Sequence, residues 1–154
     1  MDDFMDIAVQ EAVDGARAGH GGPFGACVVK DGKVISAAHN RVLLYNDPTL
    51  HAEMQAISEA ARKLGRFDLS GCELYTSCEP CPMCLGAIYW ARIRKVIFAA
   101  DRDDAADAGF DDKKFYEDVE NGRPPEGVEI IQSGREKALK AFRVWNEKQD
   151  RRLY

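Results

Sequence analysis

His51-Ala52-Glu53 and, further along, Pro80-Cys81-Pro82-Met83-Cys84 put one imidazole, two thiols and a carboxylate into the same chain. Those are the groups of a zinc site. Structural zinc usually takes four protein ligands, whereas catalytic zinc takes three and leaves a position for water. His51, Cys81 and Cys84 supply three ligands, and Glu53 is left over as a base.

The spacing restricts how these groups can meet. His51 and Glu53 are two residues apart, which on a regular helix sends side chains to nearly opposite sides. His51 must therefore stand at a helix boundary, and Asp47-Pro48-Thr49 just before it offers a cap and turn. Cys81 and Cys84 are three apart, which puts both sulfurs on one side of a first helical turn. Pro82 is tolerated there, because that turn's N–H groups have no intrahelical partner. Both halves then open helices, whose N-termini favour thiolate over thiol.

Each half alone has an ordinary explanation. A lone H-x-E is usually helix surface, and a lone C-x-x-C can be structural zinc or a redox pair. Prolines flank Cys81, and Cys78 precedes it at the same spacing, which suits a redox pair poorly. A four-ligand structural site of His51, Cys78, Cys81 and Cys84 stays open, but it leaves Glu53 unexplained.

The elements that must position these groups follow from periodicity. Residues 4 to 18 carry Phe4, Ile7, Ala8, Ala12, Val13 and Ala16 at helical spacing. Phe24 to Val29 and Val34 to Ala38 read as strands joined by a tight turn at Asp31-Gly32. A polar loop from His39 to Thr49 leads to a helix with Met54, Ile57, Ala61 and Leu64, stopped by Gly65. Cys72 to Thr76 is a strand, Pro82 to Ala91 a helix and Arg94 to Ala100 a strand. Asp101 to Asn121 is acidic, expected as loop and short helix. Val128 to Gln132 is expected as a last strand, and Ala138 to Trp145 as part of a closing amphipathic helix. This order implies a three-layer α/β/α sandwich around a mixed, largely parallel five-stranded sheet, with the site at strand ends.

At 154 residues, 45% apolar and 31% charged, the chain is expected to form one globular domain. No apolar run approaches the roughly 20 residues of a membrane helix. No apolar signal segment follows Met1-Asp2-Asp3, so a cytoplasmic protein is expected, its five cysteines thiols or ligands rather than disulfides. A net charge of −5 argues against nucleic acid as a partner. The clusters Arg92, Arg94, Lys95 and Arg151, Arg152 are most simply solvated helix ends.

H-x-E followed by P-C-x-x-C is the signature of zinc deaminases. With Ser77-Cys78-Glu79 ahead of Pro80, the chain resembles the cytidine deaminase-like superfamily along essentially its whole length. The resemblance implies this α/β/α fold, one Zn2+ per subunit on His51, Cys81 and Cys84, and Glu53 as proton shuttle. Gly21-Gly22-Pro23-Phe24-Gly25-Ala26, Leu85-Gly86-Ala87-Ile88-Tyr89-Trp90-Ala91 and Ala108-Gly109-Phe110-Asp111-Asp112 are similar to the small bacterial guanine deaminases. So is a closing helix that ends the chain in an aromatic residue. The resemblance implies that Phe24, Asn40, Trp90, Asp112 and Tyr154 line a purine pocket. It also implies a homodimer in which the segment from about 134 to 154 is exchanged, Tyr154 closing the partner's site. Physically, Phe24 and Trp90 could cover the faces of a purine, although on the residues alone both are more simply core residues. Asn40 can donate to a guanine carbonyl, and Asp112 can accept from the ring N–H and amine. Deaminases of tRNA adenosine or free cytosine in the same superfamily, and a non-enzymatic zinc module, are the competing functions.

Overall fold

The structure is a computed structural model that describes residues 2–154. Helix α1, Asp2–Arg17, leads into the hairpin β1, Gly25–Lys30, and β2, Lys33–His39. Asp31 and Gly32 both take positive φ, the backbone that a tight primed turn demands. A single turn, α2, Val42–Tyr45, precedes α3, Ala52–Leu64, which Gly65 ends in the left-handed conformation as expected. Then come β3, Cys72–Cys78, α4, Pro82–Trp90, and β4, Lys95–Ala100. The acidic stretch is more ordered than its composition suggested. Asp101 closes a capping box with Asp104 and starts α5, Arg102–Asp107, and α6, Asp112–Glu120, follows. The last helix is α7, Arg135–Glu147.

The sheet differs from expectation in two respects. It has four strands among the described residues, in the order β2-β1-β3-β4, and not five. Residues 128–132 have strand composition but pair with nothing, and Ile130 and Ile131 are 75% and 73% exposed. A strand exists only against a neighbour, and this segment does not meet the outer edge of β4 within its own chain. Nor is the sheet largely parallel: β1 is antiparallel to both β2 and β3, and only β3 and β4 run parallel. Strand and helix alternate from β2 through α3, β3 and α4 to β4, but only β3-α4-β4 joins two neighbouring parallel strands.

The strand alternation sorts the core into two faces. Cys27, Val29 and Tyr75 meet Phe4, Met5 and Ile7 of α1. Ala26, Val28, Ala38 and Leu74 meet Ala52, Ala56 and Ala60 of α3 and Ile88 of α4. Three alanines at steps of four let α3 lie close enough for Ser36 Oγ to donate to the Ala56 carbonyl at 2.6 Å. Helices therefore cover both faces, and the ends of α3 and α4 that begin at His51 and Cys81 lie at one end of the sheet. No helix among the described residues is long and apolar enough to cross a membrane.

Candidate active site

His51 and Cys81 are the N-cap residues of α3 and α4, both with extended backbone. That solves the spacing problem: His51 leaves the helical path, so its ring and the Glu53 carboxylate turn to the same place. The expected cap at Asp47-Pro48-Thr49 serves differently. Asp47 Oδ1 accepts from the Thr49 backbone at 2.9 Å and its hydroxyl at 2.6 Å, a turn that shapes the loop but does not cap α3. The boundary is fixed instead by Gln55, whose Nε2 donates to the carbonyls of His39, Leu50 and His51. Only a contact map could single out Gln55, because a glutamine inside a helix carries no signal in sequence.

The sulfurs of Cys81 and Cys84 lie 3.5 and 3.6 Å from His51 Nδ1, and the three donor atoms fall within 4.8 Å of one another. Cys78 is not among them. Its buried thiol faces the Asp101 carbonyl at 3.6 Å, and burial pushes it up to about 12. A four-ligand site through Cys78 is therefore not formed. The two remaining thiols share one charge: the Cys84 thiol donates toward Cys81 and holds it well below the usual thiol range, while Cys84 itself is pushed up beside that thiolate, by burial and by Glu53. The hydrogen bond to Cys81 favours the protonated His51 ring. Two sulfurs and one imidazole converging at this range fit zinc. His51, Cys81 and Cys84 are positioned to bind one such ion.

Glu53 is 5% exposed, and burial raises its carboxyl above the usual carboxylate range. Its Oε1 lies 3.2 Å from Thr76 Oγ1, which is also 3.0 Å from the Cys78 carbonyl. A hydroxyl has one proton. When it goes to Cys78, Thr76 accepts from a protonated Glu53; when Glu53 is ionised, the hydroxyl turns to it. Thr76 thus suits both states of a proton carrier.

A cavity of about 440 Å³ opens over these groups, lined by His51, Glu53, Cys81, Phe24, Asn40 and Asp112. Six of the nine residues singled out in sequence thus line one cavity, and the Cys84 sulfur joins them through its approach to His51 Nδ1. Asn40 Oδ1 accepts from the Val42 N–H at 3.0 Å, which leaves its Nδ2 as the donor. Burial, and the negative charge at Cys81, raise the Asp112 carboxyl. Phe110 also lines the cavity, its ring edge-on to Phe24 at 4.8 Å between centroids. Gly22 packs against both rings, and a Cβ there would come within 2.8 and 2.9 Å of them. Phe110 belongs to the Ala108–Asp112 stretch and Gly22 to the Gly21–Ala26 stretch, and nothing in the sequence shows that the two face one another.

Trp90 and Tyr154 lie elsewhere. Their ring centroids are 5.9 Å apart, at the end of α4 remote from Cys81. Eight helical steps from Pro82 carry Trp90 about 12 Å along the axis. Within one chain neither lines the cavity, and they are 56% and 70% exposed.

A clamp unforeseen from sequence holds the ligand loop. Glu79 accepts two bonds from the Arg102 guanidinium and one from its backbone N–H, the shortest at 2.8 Å. The guanidinium stacks 3.6 Å over the Tyr116 ring, whose hydroxyl donates to the Pro80 carbonyl. One side of the zinc loop is thereby tied to α5 and α6.

Comparison with known proteins follows the same outline. Residues 1–100 match the family model described as the cytidine and deoxycytidylate deaminase zinc-binding region. The guanine deaminase of Bacillus subtilis is 46% identical over 98% of this chain and 97% of its own. The X-ray structure of guanine deaminase from that organism superposes with a TM-score of 0.92 over 99% of this chain and 98% of the other. The tRNA-specific adenosine deaminase of Aquifex aeolicus is 50% identical, but over 63% of this chain and 64% of its own length.

Proposed function

The chain belongs to the cytidine and deoxycytidylate deaminase zinc-binding family, and from that premise we propose that it hydrolyses guanine to xanthine and ammonia. Extent of similarity carries the choice of base. The Bacillus subtilis guanine deaminase matches this chain almost end to end, whereas the adenosine deaminase match covers 63% of it. A net charge of −5 also disfavours a tRNA substrate.

Zinc on His51, Cys81 and Cys84 supplies Lewis acidity that brings the pKa of water down toward roughly 7. Phe24 covers one face of the purine, Asn40 Nδ2 donates to its carbonyl, and Asp112 accepts from the ring N–H and amine. Glu53 takes a proton from the attacking water and delivers it to N3 as oxygen bonds to C2. The proton left on that oxygen returns through Glu53 to the amine. The C2–N bond then breaks, ammonia leaves, and C2 keeps a carbonyl beside a protonated N3. A carboxyl with a raised proton affinity is suited to both directions of transfer.

The chain acts as a single cytoplasmic domain, 1–154, paired as a homodimer that exchanges the segment from about 134 to 154. Several features support exchange. Helix α7 buries no residue, and Phe142, Val144 and Leu153 are exposed on the same segment. The outer edge of β4 is unpaired, with Phe98 exposed, while residues 128–132 are an unpaired run of strand composition. Exchange would give Trp90 and Tyr154 a site to cover that they do not reach in their own chain.

Ammonia release from guanine, adenine, cytosine, cytidine and a tRNA anticodon stem, with and without a chelator, tests the reading. Chelator-sensitive turnover of guanine above the others is expected. Preference for the tRNA stem or for a cytosine compound overturns the substrate, and zinc binding without any turnover leaves a structural zinc module.

A further inference from the structure

Two of the three histidines take no part in the zinc site, yet they are joined to each other and to a carboxylate. Glu11 Oε2 of α1 lies 2.7 Å from His39 Nδ1 at the end of β2, and His39 Nε2 lies 2.8 Å from His20 Nδ1 in the loop after α1. The two rings stack with centroids 5.1 Å apart. The protons can be assigned. A carboxylate accepts, so His39 donates from Nδ1 to Glu11; with the His39 ring neutral, its Nε2 accepts from His20 Nδ1. The chain runs His20 to His39 to Glu11, with one proton in each gap.

Each histidine adjoins a residue of the cavity. Asn40 follows His39, and Gly21 follows His20. Gly21 presses on Asn40 so closely that a Cβ would lie 2.0 Å from Asn40 Oδ1. The His20 carbonyl accepts from the N–H groups of Leu43 and Leu44, holding down α2, whose Val42 N–H fixes the Asn40 amide. Gly15 removes any side chain that would strike the His39 ring, since a Cβ there would come within 2.4 Å of it. Three elements are thus drawn together directly behind Asn40.

We propose that the Glu11–His39–His20 chain positions Asn40 for the substrate's carbonyl, setting how tightly and how selectively the base is bound without touching it. His20 and His39 are positioning residues in this scheme. The inference rests on the reading that Asn40 Nδ2 donates to the guanine carbonyl. Without His20, the loop loses its tether to β2, Gly21 no longer confines the amide, and the donor is less often aimed at the base. The cost falls on binding a carbonyl, and not on proton transfer at C2.

The test uses the full-length, zinc-loaded protein with guanine and with 2-aminopurine, which carries the same reacting amine but no carbonyl. His20→Ala, in a half-buried loop position, is expected to raise KM for guanine about tenfold and leave kcat within about twofold, KM for 2-aminopurine and zinc content being unchanged. Glu11→Ala, on a partly exposed helix face, serves as a second variant should the first fold poorly. Asn40→Ala must show the same pattern, and the double variant His20→Ala with Asn40→Ala should be no worse than Asn40→Ala alone. If Asn40→Ala leaves guanine KM unchanged, the reading of Asn40 fails. If Asn40→Ala raises KM while His20→Ala and Glu11→Ala do not, or if the double variant is additive, or if 2-aminopurine suffers equally, the relay is overturned.

Discussion

At the scale of single residues, the site turns on a carboxylate kept out of water. Burial, and to a lesser degree the negative charge at Cys81, drive the proton affinity of Glu53 up, and Thr76 can face either protonation state. Glu53→Gln keeps size and packing but cannot carry a proton. It should bind zinc normally, melt close to wild type and lose about 10²- to 10⁴-fold in kcat, the usual contribution of a positioned acid–base. Loss of zinc in that variant, measured by atomic absorption, would point to a ligand role instead. The metal ligands themselves are legible in sequence because coordination chemistry admits few residue types. Asn40 and Asp112 are less so, since any loop Asn or Asp looks alike until it is placed.

At the scale of elements, what positions the site is mostly two helix starts and the loop leading to one of them. The helices α1, α3, α4 and α7, the hairpin turn and the stop at Gly65 follow from local chemistry, which is why they can be read from residues alone. The clamp of Glu79, Arg102 and Tyr116 cannot, because it joins three segments whose meeting is set by packing. Its strength lies between two limits. Exposed ion pairs contribute roughly 0–1 kcal/mol, and breaking a buried pair costs roughly 3–5 kcal/mol. With Arg102 31% and Glu79 18% exposed, Arg102→Ala should cost about 2 kcal/mol and lower the melting temperature by about 4–8 °C. Arg102→Lys should restore little, since an ammonium gives neither the paired bonds nor the flat stacking surface. An unchanged melting curve would show the clamp to be incidental. The strand count failed for a related reason: residues 128–132 have the composition of a strand, but pairing depends on what lies beside them.

At the scale of the whole molecule, many of the exposed apolar side chains lie on the C-terminal segment, on α2 and on α4, with Phe98 on β4. Removing Arg151–Tyr154 should abolish turnover of guanine while leaving zinc at one per chain, because the ligands lie far from the chain's end. Activity surviving the deletion would sink the assignment of Tyr154. Sedimentation should give a dimer, with turnover per chain falling on dilution below its dissociation constant. The open edge of β4 has a further consequence for how the protein must be handled. A copy with a bare strand edge and an unpaired strand-like run is at once template and filler. Two copies that fill each other reciprocally leave nothing open, but a third joining head to tail leaves an end that recruits a fourth. Refolding at high concentration should therefore yield a ladder of larger species alongside the dimer, and refolding at low concentration should suppress it. On the proposed dimer, the open edge of β4 is a route to polymerisation that two-fold closure would cut off.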